Sequence, residues 1–219
     1  MRKGLIVSAT LLSVILGLFS CSADDEQASE KGAIRIFVDH STAFTRALDL
    51  SALTNTDNYT VDIFDAEGKC MLSKTLGEME DNTVELEAGE YNLTAHYGES
   101  KAASQDNLYM KGETKFTVEA GKSNDVDVMC TPASARVSVS FDAKMEEYFS
   151  DYYVTYSTKA LTEEGTAAIW SKTNTNPWYL LVETGETVKA TIHVTRKSDG
   201  KSTAIEREHT LSAGKAWTL

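Results

Sequence analysis

Beyond residue 32 hydrophobic and polar positions alternate with a period of two. Ile34, Ile36 and Val38 interleave with Arg35, Phe37 and Asp39, and Tyr59, Val61 and Ile63 with Thr60, Asp62 and Phe64. The rhythm returns at Tyr91, Leu93, Ala95 and Tyr97, at Val137, Val139 and Phe141, and at Val188, Ala190, Ile192 and Val194. One apolar and one polar face mark strands half buried in antiparallel sheets. Gly68 in Asp65–Lys69 and Gly200 in Lys197–Lys201 supply the positive φ of hairpin turns. Ala88-Gly89-Glu90 and Ala120-Gly121-Lys122 read as similar corners. A helical turn is expected from Asp142, as N-cap, to Phe149, and another over Phe44–Leu53.

The pattern repeats itself. Tyr59-Thr60-Val61 is answered by Tyr152-Tyr153-Val154, and Val84 to Glu90 by Leu180 to Glu186. Phe116 to Lys122 is answered by His209 to Lys215, and Ile34-x-Ile36-x-Val38 by Val137-x-Val139-x-Phe141. Four matches in one order with a nearly constant offset predict a duplicated unit. The expected fold is all-β, with two tandem antiparallel β-sandwich modules of about seven strands each, immunoglobulin- or transthyretin-like. Module 1 would span 32–131 and module 2 132–219. Ala216-Trp217-Thr218-Leu219 then reads as a closing strand cut short, either naturally brief or the end of a fragment of a longer chain.

The first 31 residues obey other rules. Arg2 and Lys3 precede an apolar run from Gly4 to Phe19, below the roughly 20 residues a spanning helix needs. Leu18-Phe19-Ser20-Cys21 resembles the lipobox of bacterial lipoproteins. That likeness implies a signal peptide over 1–20, cleavage after Ser20, and diacylation (palmitate-type) of Cys21 as the membrane anchor. Two acyl chains hold firmly where one holds marginally. Ser22-Ala23 and the acidic Asp24-Asp25-Glu26 are similar to the signal that exports Bacteroidetes lipoproteins to the outside of the outer membrane. Residues 21–31 form an acidic tether.

Charge narrows the partners. The 33 acidic against 21 basic residues give −12, and loss of Arg2 and Lys3 deepens this to −14. Nucleic acid, which demands clustered Lys and Arg, is excluded as a partner.

The mature chain resembles the Bacteroidetes lipoproteins of domain-of-unknown-function family 4493. The likeness lies in Gly32 to Ile36, Asn58 to Ile63, Val84 to Gly98, Tyr109 to Gly112, Phe116 to Lys122 and Tyr148 to Tyr152. It implies a surface lipoprotein, in some members ahead of a carbohydrate-related module, and carries no catalytic signature. A looser likeness joins the paired sandwiches to fimbrillin-like pilus proteins.

Candidate chemistry is sparse. There is no nucleophile elbow, zinc-protease motif, phosphate-cradling loop or Cys-x-x-Cys. His40, His96, His193 and His209 are scattered, so no metal and no cofactor are expected. Trp170 and Trp178-Tyr179 flank the polar Ser171–Pro177. Their rings are candidate sugar-stacking residues, against the alternative of ordinary core aromatics. A Cys70–Cys130 bridge would close a loop of about 60 residues, worth about 4 kcal/mol. Cys130, however, shares the phase of Val126 and Val128, which favours two free thiols.

The expectation is a non-enzymatic outer-membrane surface lipoprotein that binds polysaccharide or other surface proteins. The alternative is a fimbrillin-like pilus subunit or anchor assembling by strand addition.

Overall fold

The computed structural model describes residues 31–41 and 51–219. The lipobox, Cys21, the acidic tether and most of the helix expected over Phe44–Leu53 lie outside the described residues.

The described residues form fifteen strands. In the first half these are β1 (Lys31–His40), β2 (Thr60–Asp65), β3 (Cys70–Thr75), β4 (Thr83–Glu87), β5 (Gly89–Tyr97), β6 (Ala103–Ser104), β7 (Met110–Val118) and β8 (Ser123–Pro132). The second half contributes β9 (Ser134–Ser138), β10 (Phe149–Ser157), β11 (Ala168–Ser171), β12 (Trp178–Leu181), β13 (Glu186–Arg196), β14 (Ser202–Leu211) and β15 (Ala216–Thr218). The alternation is borne out directly: Ile34, Ile36, Tyr59, Val61, Ile63, Leu93 and Ala95 are fully buried, and so are Ala135, Val137 and Ala190.

The two halves share one strand plan. β3-β2-β5-β7 lie side by side, and so do β11-β10-β13-β14. Facing them are β8-β1-β4 and β15-β9-β12. β1 runs antiparallel to β4 and parallel to β8; β9 runs antiparallel to β12 and parallel to β15. Even the registers agree. Thr60 faces His96 as Tyr153 faces His193, and Ile34 faces Asn124 as Val137 faces Trp217. Each set of seven strands encloses its own apolar cluster.

The copies differ at one end. β8 stays beside β1 as far as Cys130 and then pairs with β7 at Met110–Pro132 and Lys111–Thr131. It passes so close to Gly112 that a Cβ there would lie 2.5 Å from the Met129 carbonyl oxygen. The equivalent position in the second copy is Ile205, since Gly112 pairs with Ala95 and Ile205 with Ile192. No described strand crosses over Ile205, which is 38% exposed.

The halves also exchange parts. The two-residue β6, from the segment linking β5 to β7, pairs with β12 as the edge of the second copy's sheet. Ala102 beside it is buried in the second cluster, and Tyr179 of β12 is buried in the first. Gln105 and Asn174 clasp through both amide groups at 3.2 and 3.3 Å. The Glu164 carboxylate accepts from the Ala102 amide across the same seam.

The expected helical turn is shorter than its pattern. It spans Met145–Tyr148, because Asp142 Oδ1 accepts from the Lys144 amide and forms a turn ahead of the helix. Phe149 opens β10 instead of closing the helix.

Candidate ligand-binding surfaces

The sequence-derived aromatic site does not assemble. Trp170 is fully buried and packs edge-on to Tyr156 at 5.1 Å, and Tyr179 is 5% exposed in the first core. Neither can offer a ring face to a sugar. Period-two phasing explains why: Trp170 shares the inward phase of Ala168. Trp178 is half-buried, edge-on to Trp170 at 6.3 Å, with its indole N–H donating to the Ile169 carbonyl. Both cysteines of the described residues are free thiols, Cys70 exposed and Cys130 buried. Burial pushes the Cys130 thiol up to about 11. Ser20 and Cys21 lie outside the described residues.

A concavity instead occupies the seam between the two sandwiches. It holds about 710 Å³, inside the range of ordinary ligand clefts. Its first wall comes from β7 and β8, with Tyr109, Lys111, Glu113, Met129 and Thr131. The opposite wall is the helix Lys159–Glu164 and the turn after β12, with Lys159, Glu163, Leu181, Glu183, Thr184 and Glu186.

Local sequence explains that second wall. Thr158 caps the helix by accepting from the Leu161 amide, and Gly165, at φ 67, ends it in the left-handed conformation. Glu186 then pins helix and turn together, accepting from the amides of Lys159 at 2.7 Å and Glu183 at 3.0 Å. Lys159 Nζ sits 2.6 Å from Glu183 Oε1. On the first wall the Tyr109 ring lies 6.2 Å from that of His96, whose Nδ1 is 3.4 Å from Asp62 Oδ2. Burial, then the Asp62 carboxylate, pushes the Tyr109 phenol upward, while a hydrogen bond with Ser100 pulls it back.

His193 repeats the His96 position in the second copy. Its ring stacks on Tyr153 at 4.3 Å and its Nε2 lies 3.4 Å from Thr155 Oγ1. Thr155 stands where Asp62 stands in the first copy, by the shared register. His209 does something else: half-buried, it stacks on the exposed Trp217 at 4.7 Å and meets Tyr156 edge-on at the margin of the second core. Among the described residues no group of three or more His, Cys, Asp or Glu is placed to hold a metal ion.

Sequence reasoning missed the seam altogether. Tyr109, Lys111 and Glu163 belong to segments that touch only because the two copies dock. The one available signal was the apolar Ala102-Ala103 in an otherwise polar link.

Several solved structures are similar to the chain. One is a candidate cell adhesion protein from Bacteroides eggerthii, at 13% identity over 86% of this chain and 84% of that one, with a TM-score of 0.45. The fimbrial anchor protein Mfa2 from Porphyromonas gingivalis shares 11% identity over 83% of each chain, with a TM-score of 0.44. A candidate polysaccharide-binding protein from Bacteroides thetaiotaomicron shares 11% over 80% and 79%, with a TM-score of 0.41. No curated protein matches the chain significantly. The family profile described as Domain of unknown function (DUF4493) matches residues 30–219, which takes in every strand above. The chain therefore belongs to the DUF4493 family.

Proposed function

We propose that this is a non-enzymatic, lipid-anchored protein of the outer cell surface, whose two sandwich modules hold a polysaccharide in the groove between them. Cys21 would carry the lipid and the acidic tether would set the modules away from the membrane. The observation that carries the reading is the groove itself. Both modules build it, and the exchanged Ala102 and Tyr179 and the Gln105–Asn174 clasp hold it at fixed width. A ligand long enough to touch both walls gains from that fixed geometry, since little order is lost on binding.

The test uses the chain from Ser22 onward on a panel of immobilised polysaccharides. At least one polymer should retain it, and Tyr109→Ala should weaken that retention by about tenfold, the loss of one well-placed aromatic contact. Absence of retention on every polymer overturns the reading. A separate fractionation tests the anchor: Cys21→Ala should move the full chain out of the membrane pellet.

A second reading, assembly by strand addition, draws on the outer edge of β14, which no described strand pairs. Ile205 weighs against it. A strand following the track of β8 would bring its backbone to the place where Gly112 tolerates it and an isoleucine does not.

A further inference from the structure

The groove distributes its charge unevenly. Carboxylates of Glu113, Glu163, Glu183 and Glu186 line it against only two ammonium groups, Lys111 and Lys159. Lys159 is consumed within the wall by Glu183. Glu186 has both oxygens committed to backbone amides, and Glu113 holds the Asn92 side chain at 2.9 Å. What faces an incoming ligand is therefore the Glu163 carboxylate, the remaining oxygen of Glu113, and a single uncommitted cation, Lys111. The surrounding chain carries −12 overall.

We infer that the polymer held in this groove bears no acidic groups; this rests on the polysaccharide reading above. A neutral sugar offers hydroxyl donors, and a carboxylate accepts two of them side by side in charge-assisted hydrogen bonds that offset the loss of its water. A free amine on the sugar would be more welcome still. A uronate or sulfate must instead shed water beside Glu113 and Glu163 with one lysine to compensate. Desolvated like charges make that costly. The acidic walls select by repulsion as much as by attraction.

Affinity electrophoresis at low salt, where the charge term is strongest, tests this with three probes: neutral glucans and mannans of differing linkage, chitosan oligomers, and polygalacturonate. The expected result is retardation by a neutral polymer or by chitosan and none by polygalacturonate. Glu163→Lys should then raise affinity for polygalacturonate by about tenfold, the low end of steering effects for one charge reversal. If the wild type binds polygalacturonate as tightly as the best neutral polymer, the inference on charge falls while the polysaccharide reading stands. If no polymer in any arm retards the chain, the reading itself falls and takes the inference with it.

Discussion

The carbonyl oxygen of Met129 stands 2.5 Å from the point where a side chain on Gly112 would begin. That closeness lets β8 cross from one sheet to the other and close the first sandwich. Gly112→Ala should therefore destabilise the protein by about 3 kcal/mol, the upper end of ordinary overpacking, because backbone rather than a flexible side chain blocks the methyl. Ile205→Ala, at the matching place in the second copy, should cost only about 1 kcal/mol, since much of that side chain already meets water. Denaturant unfolding of both variants checks the contrast.

Tyr179 belongs by sequence to β12 and by packing to the first core. Truncation to alanine should cost about 3 kcal/mol, as for other large core aromatics. It should also loosen the seam, so ligand retention falls together with stability. Gln105→Ala, which removes only the half-exposed clasp, should cost about 1 kcal/mol. Thermal melts with and without ligand separate the two.

How much of this was legible beforehand follows from where the signal resides. Ile34, Val61 and Val137 announced their strands because one neighbouring sheet buries every second residue. The duplication was legible for the same reason, and His96 and His193 occupy matching registers. Strand β14 was hidden: Thr203, Ile205 and Arg207 face inward by register but lie past the cover of β15, so their burial never demanded an apolar rhythm. Strand β6 was hidden because two residues cannot carry a period. Trp170 misled because a large aromatic beside polar residues looks the same whether its ring points in or out.

His209 carries a pH dependence. Burial alone lowers the imidazole below its ordinary value, because the folded state disfavours the charged ring. Above pH 7 the ring is neutral in folded and unfolded chains alike and costs nothing. As pH falls through the unfolded value near ~6.5 the unfolded chain takes up a proton that the folded chain resists, so stability declines. The decline ends once the folded ring also protonates. His209→Phe should flatten the curve between about pH 7 and 5, measured by denaturant midpoints across that range.

The two thiols should react at different rates. Only thiolates attack disulfide reagents, and burial holds Cys130 near a pKa of about 11, while Cys70 is exposed. In the chain from Ser22 onward, a chromogenic disulfide should label one thiol rapidly at pH 7.5 and the second only on unfolding. Two fast equivalents would mean that Val128 and Cys130 are not covered as described.

The most direct measure of the central claim is an amide chemical-shift map recorded while a retained polysaccharide is titrated in. Saturable shifts are expected on both walls of the seam, at Lys111, Glu113 and Thr131 and at Glu163 and Leu181. Saturable shifts confined to one sandwich, for example around Tyr153 and His193, would contradict that claim.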